Sequence, residues 1–143
     1  MTELLTDFSP PIAKVILNRA DKRNAITHAM WQGLQRVAGT MAGDASIKVV
    51  LLRGAGDAAF SAGADIIEMQ QTVSDPARMK VVQQTVLDAQ AAWERLPMPT
   101  IALVRGACTG GGCGLALACD LRLATPDAFF SVPPARLGLA YSL

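Results

Sequence analysis

The residues that point most directly to chemistry carry no reactive side chains. From Gly106 to Asp120 the sequence reads GACTGGGCGLALACD, with Gly110, Gly111, Gly112 and Gly114 at the head of an apolar helical stretch. In a helix interior each glycine costs about 0.8–1.0 kcal/mol relative to alanine. Two physical reasons would justify such a run: a neighbour too close for a Cβ, or backbone N–H groups presented to something bound. The start of a helix has N–H donors without partners and a partial positive charge, which suit an anion or a developing oxyanion. A second small-residue loop, AGDAAFSAGAD (Ala55 to Asp65), follows another apolar strand. Donors from two such loops, converging on one carbonyl oxygen, would form an oxyanion hole, often the largest electrostatic contribution in acyl chemistry. Glycine would let the bound carbonyl approach the chain. Tight helix–strand packing is the competing explanation for the same glycines.

Other chemistries fit less well. GAGDAA (Gly54 to Ala59) follows a strand and matches a degenerate G-x-G-x-x-A, but Ser61, Ala62 and Gly63 continue a loop where a dinucleotide site requires a helix. Gly106 and Gly111 have the separation of a phosphate loop, but Gly112 and Cys113 stand where lysine and a hydroxyl residue are required. There is no G-x-S-x-G elbow. The one histidine, His28, falls on the first turn of an expected helix and reads as a solvated helix-start residue. Asp65 reads as an acceptor for local backbone N–H groups and Asp120 as a cap or structural partner; with Glu68 and Asp127 they form no evident acid–base pair. Cys108, Cys113 and Cys119 lack C-x-x-C spacing and a fourth ligand. They read as buried reduced thiols, and no metal is expected.

These residues must be positioned by a chain of 143 residues, enough for one domain with a real core. It is 51% hydrophobic and 17% charged, with a net charge of +1 and no basic stripe, which argues against nucleic acid or an anionic membrane as partner. Aromatic residues make up 5%, too few for a base-stacking platform. The opening MTELLTDFSP lacks the pattern of a secretory signal, and no apolar run approaches the roughly 20 residues that span a bilayer. The expectation is a cytoplasmic protein.

PIAKVILNR (Pro11 to Arg19) alternates and is rich in β-branched residues, so it predicts a strand, with Glu3 to Phe8 as a possible partner. Thr27 predicts an N-cap for a helix carrying Met30, Leu34, Val37 and Met41 on one face. KVVLLRG (Lys48 to Gly54) predicts a strand buried on both faces. A helix from Pro76 to Arg95 would place Met79, Val82, Val86, Ala89 and Trp93 together. IALVRG (Ile101 to Gly106) predicts another buried strand, followed by the glycine run and a short helix to about Cys119. DLRLA and AFFSV predict strands around the turn TPD. LLRGA (Leu51 to Ala55) and LVRGA (Leu103 to Ala107) echo one another, either as two similar strand–loop–helix units or by coincidence among apolar strands. Alternating strands and helices predict an α/β fold with largely parallel pairing.

Together, FSAGADIIEM (Phe60 to Met69) and GACTGGGCGLALACD resemble the enoyl-CoA hydratase/isomerase (crotonase) superfamily. The resemblance extends to NRADKRNAI (Asn18 to Ile26), KVVLLRG and FFSVPPARLGL (Phe129 to Leu139), in the family's order and approximate spacing. It implies a crotonase-like α/β spiral of ββα units with mostly parallel sheets, residues 1–143 forming one acyl-CoA-binding core. It also implies a homo-oligomer, a trimer or a hexamer. No cofactor is implied beyond the coenzyme A of the substrate. The expected chemistry is that of a lyase or isomerase of fatty acid metabolism. By position, the N–H groups of Ala64 and Gly111 would be the oxyanion hole that polarises the thioester carbonyl and stabilises an enolate. Lys22, Arg23, Ala25, Ala62, Asp65, Ile66, Gly110 and Pro134 would line the substrate site, and the basic pair suits the CoA phosphates.

The sequence departs from the family where hydratases carry two glutamates. Gly114 and Pro134 occupy those positions, and neither can transfer a proton. Some decarboxylating members place a tyrosine where Tyr141 stands, although they can also bear a histidine at the position of Ala64. The resemblance therefore leaves three expectations: a hydratase/isomerase-type enzyme, an acyl-CoA decarboxylase using Tyr141, or a non-catalytic CoA-thioester binding subunit. The chain ends at Leu143, before helices that family members place over the acyl pocket, so part of the fold, the C-terminal helical part, is expected to be lacking.

Overall fold

The computed structural model describes residues 2–133. Eight strands and four helices occur among them, in the order β1 (Leu4–Ser9), β2 (Ile12–Leu17), α1 (His28–Ala42), β3 (Val49–Gly54), β4 (Ala59–Ser61), α2 (Ile66–Val73), α3 (Pro76–Glu94), β5 (Thr100–Val104), β6 (Ala107–Thr109), α4 (Gly111–Leu117), β7 (Leu121–Ala124) and β8 (Phe129–Ser131). Pro134 and Tyr141 lie outside the described residues, as does everything expected of them.

Two sheets result. The larger has the order β1-β2-β3-β5-β7, with only β1 and β2 antiparallel; the smaller, β4-β6-β8, is parallel throughout. Each of β3, β5 and β7 ends in a turn that delivers the chain to the next strand of the smaller sheet. The echo of LLRGA and LVRGA is therefore structural, because both stretches occupy this same corner, one after β3 and the other after β5.

Alternation decides which side of the larger sheet is covered. Ala13, Val15 and Leu17 of β2, Val50 and Leu52 of β3, and Ala102 and Val104 of β5 are all buried in one core. On α1, Met30, Leu34, Ala38 and Met41 recur at helical spacing and pack into that core. Thr27 caps the helix as expected, its hydroxyl accepting from the Met30 N–H at 3.2 Å. Trp93 of α3 is buried beside α1 and donates its indole N–H to the Leu34 carbonyl at 3.1 Å.

Three expectations are corrected. The β3 strand is buried on one face only; Val49 and Leu51 on the other are half-buried and Arg53 is exposed. A continuous apolar run does not distinguish the two cases, and no described element covers the outer face. The loop from Ala55 to Asp65 contains β4, and the glycine stretch is preceded by β6. Strands of three residues show too few alternations to be read from sequence. Finally, a helix not expected from sequence, α2, follows that loop; Ile66, Met69 and Val73 recur on it at helical spacing, but Ile66, Ile67 and Val73 are exposed and only Thr72 is buried. No helix among the described residues is long and apolar enough to cross a membrane.

Candidate functional site

Two backbone segments run side by side at the start of the site. The Ile26 N–H donates to the Gly63 carbonyl at 2.7 Å, and the Ile26 carbonyl accepts from the Asp65 N–H at 3.1 Å, which makes a parallel bridge between Ile26 and Ala64. One step earlier the Ala62 N–H donates to the Arg23 carbonyl at 2.9 Å. The Gly63 N–H turns to the Ser61 hydroxyl at 3.1 Å. Every amide from Ala62 to Asp65 therefore has an acceptor among the described residues except that of Ala64. In a parallel bridge the residue flanked by the bonded pair directs its own N–H away from its partner, so the Ala64 N–H faces away from Ile26.

The glycine run lies directly against this segment. Gly63 sits at φ +96°, in the left-handed region, and a Cβ there would be 2.9 Å from the Thr109 carbonyl oxygen and 3.5 Å from the Gly111 nitrogen. Thr109 at the end of β6 donates its hydroxyl to the Ala62 carbonyl at 2.8 Å, locking the two loops together. Gly110 is the N-cap of α4, at φ 54°, and its N–H donates to the Ser131 carbonyl of β8 at 2.8 Å. Behind Gly111 lies Trp31: an added Cβ would be 3.1 Å from its ring. The Gly111 N–H, like that of Ala64, has no acceptor among the described residues.

Around this pair the structure gathers most of the sequence-predicted residues. Ala25, Ala62, Ala64 and Asp65 belong to the paired segments, with Arg23 in the left-handed conformation at φ 50° and Lys22 in a short turn beside them. Both basic side chains are exposed. Ile66, at the first position of α2, is 65% exposed, so its side chain is free to meet a ligand. Asp65 caps α2 by accepting from the Glu68 N–H at 3.0 Å, as its sequence context suggests. That bond and the Arg19 guanidinium hold its carboxyl below the usual carboxylate range.

His28 is not the solvated residue expected; it is half-buried, its Nε2 lying 3.0 Å from the Thr85 hydroxyl, while its backbone N–H donates to Glu68 at 2.6 Å. Asp120 pairs structurally, accepting from the Thr100 N–H at 2.8 Å. The three cysteines are free and buried, and burial pushes the Cys108 and Cys119 thiols up to about 12. They are inert groups at neutral pH. A cleft of about 260 Å³ opens at the C-terminal ends of β3, β5 and β7, lined by Arg53, Leu103, Arg105 and Leu123 among others; none of the predicted site residues lines it. Sequence reasoning missed Arg19, Asn24, Trp31, Ser61 and Thr109 as supports of the site. Arg19 and Asn24 lie inside the motif NRADKRNAI, but nothing in their types announces which carbonyls they bind.

The chain is thus an α/β protein in which two strand-to-helix corners lie side by side, each with an amide that has no acceptor among the described residues, and comparison with known proteins gives its class. Residues 7–142 match the sequence pattern of the enoyl-CoA hydratase/isomerase family, and the chain belongs to that family. It is 34% identical over 145 residues to the human mitochondrial Delta(3,5)-Delta(2,4)-dienoyl-CoA isomerase, covering 95% of this chain and 44% of that protein. It is also 34% identical over 139 residues to the short-chain-enoyl-CoA hydratase of Clostridium acetobutylicum, covering 97% and 52%. The crystal structure of an enoyl-CoA hydratase/carnithine racemase from Magnetospirillum magneticum superimposes with a TM-score of 0.94 at 36% identity, over 100% of this chain and 54% of that one. The fold is thus the crotonase-type α/β fold expected, and the chain spans about half the length of the relatives it matches.

Proposed function

We propose that residues 1–143 act as one acyl-CoA-binding core of an enoyl-CoA hydratase/isomerase-type enzyme. In it the N–H groups of Ala64 and Gly111 receive the thioester carbonyl oxygen. The observation that carries this reading is the side-by-side placement of the Gly63 and Gly111 backbones, with the amides of Ala64 and Gly111 lacking acceptors among the described residues. Two donors aimed at one oxygen stabilise the charge that develops when the α-carbon loses a proton and an enolate forms. Lys22 and Arg23 would meet the CoA phosphates, and Ala25, Ala62 and Ile66 its less polar parts, so that coenzyme A enters as part of the substrate and no separate cofactor is required. Homo-oligomer formation, as a trimer or hexamer, and a cytoplasmic setting in which the three thiols stay reduced belong to the same proposal.

A second reading, a CoA-thioester binding subunit without turnover, has its own support. Gly114 carries no carboxylate, and the two acids nearest the site are already engaged, Asp65 by Arg19 and Glu68 by the His28 N–H. The discriminating experiment is a panel of short and medium acyl-CoA thioesters followed for turnover, with deuterium exchange at the α-carbon measured alongside. Exchange together with product formation supports the enzyme. Exchange alone identifies a chain that stabilises the enolate but lacks the second proton transfer. Binding with neither exchange nor turnover leaves the binding subunit as the reading, and no binding refutes both.

A further inference from the structure

Beside the segment that carries the Ala64 amide lies the side chain of Arg19, which bonds to the residues flanking the Ile26–Ala64 bridge. Arg19 follows β2, and its side chain is 15% exposed. Its Nη1 donates both to the Ala25 carbonyl at 2.8 Å and to Asp65 Oδ2 at 2.9 Å. Its Nε meets Glu3 Oε1 at 3.0 Å, and the second oxygen of Glu3 accepts from the Thr27 hydroxyl at 2.9 Å. Ala25 and Asp65 are the residues that immediately precede Ile26 and follow Ala64. One guanidinium nitrogen therefore joins the two segments that form the Ile26–Ala64 bridge, through a neighbour of each partner.

The loop containing Arg19 is itself rigidly fixed. The Arg19 N–H donates to Asn24 Oδ1 at 3.0 Å, and the Asn24 amide, fully buried, donates to the carbonyls of Ala55 at 2.9 Å and Ala59 at 2.8 Å. A planar fork with several donors at fixed angles can serve two acceptors from one nitrogen and a third from another; an ammonium group on a flexible stem imposes no such geometry. We infer that Arg19 is a positioning residue whose clamp on the Ala25 carbonyl and the Asp65 carboxylate sets the direction of the Ala64 N–H. The inference rests on the two-amide reading above. Without the clamp, Asp65 would be a largely buried carboxylate without a counter-charge and the Ala25 carbonyl would lose its donor, so the segment from Gly63 to Asp65 could rotate away from its bridge.

The test is a spectroscopic one, made on the full chain with crotonyl-CoA labelled with carbon-13 at the thioester carbonyl. Isotope-edited infrared difference spectra report the carbonyl stretch of the bound probe, which moves to lower wavenumber as the donors polarise it. In Arg19→Lys the downshift is expected to fall by at least half, while the affinity for the probe changes less than about threefold and circular dichroism shows a folded chain. Should Arg19→Lys fail to fold, Asp65→Asn reads the same clamp from its other end and keeps a side chain able to cap α2. The same loss of downshift is expected there. A folded variant of either kind that retains the full downshift overturns the positioning role, whatever its melting temperature, because a purely structural arginine would alter stability and leave the bound carbonyl unchanged. A wild-type chain that does not bind the probe, or binds it with an unshifted carbonyl, overturns the two-amide reading and the clamp's purpose with it.

Discussion

A Cβ at position 112 would sit 2.6 Å from the Ser61 Cβ and 2.8 Å from its carbonyl oxygen, so at this residue the glycine run serves packing between α4 and β4. Close packing explains Gly112, and at Gly111 it acts as well, against the Trp31 ring, beside the amide that the proposed function assigns to it. Gly112→Ala is expected to destabilise the chain by about 1–3 kcal/mol through overpacking, measured by urea unfolding. Unchanged stability would mean that the β4–α4 contact is looser than its geometry states. Asp65 gives a second expectation at this scale. Its carboxyl titrates below its ordinary value of 3.8 in the folded chain, first through the Glu68 N–H and then through Arg19. A carboxyl depressed by folding stabilises above its unfolded pKa, and that contribution disappears as pH falls through the folded value. The difference in melting temperature between wild type and Asp65→Asn should therefore be largest near pH 6 and shrink as pH falls from about 5 towards 3. A difference that stays constant over this range would refute the linkage.

At the scale of elements, stability depends on α1 and α3 meeting over the inner face of the larger sheet. Trp93 is 1% exposed and joins them both by area and by its bond to the Leu34 carbonyl. Trp93→Ala should cost about 3–5 kcal/mol by leaving a cavity. Trp93→Phe, which keeps a ring but loses the indole donor, should cost about 1–3 kcal/mol. Equal losses for the two would show that the hydrogen bond, and not the filled volume, dominates. The helix α3 was legible in sequence because apolar residues recur along it from Pro76; its Asp75 cap was added by the structure. The helix α2 was not, since it stands on the surface and owes its place to its Asp65 cap and to the segment before it.

For the molecule as a whole, the open side is the informative one. All four residues of β7 and all three of β8 are exposed, including Leu121, Leu123, Phe129 and Phe130. Within the described sheet β7 is also the terminal strand, so its unpaired edge and its apolar side chains invite association. The 143-residue chain is expected to bind a dye that reports apolar surface and to show concentration-dependent self-association in sedimentation velocity. The double variant Leu123→Lys, Phe130→Lys should move the distribution towards smaller species. A chain that sediments as a monomer at every concentration and leaves the dye dark would contradict this expectation.

Local signals were enough for much of this molecule. The Thr27 cap, the local bonding of Asp65, the alternation in β2 and the ordered motifs from NRADKRNAI to GACTGGGCGLALACD each depend on residues a few positions apart, and they pointed to the fold class and the family before any coordinates. The tertiary structure decided which face of β3 is covered, since an apolar run has the same composition whether one layer or two pack against it. It also decided that Gly63 and Gly111 are neighbours, that Trp31 lies behind Gly111, and that Arg19 reaches Asp65 across 46 positions of chain. These contacts are long-range and their geometry is set by how corners of two sheets meet, which no periodicity along the chain encodes.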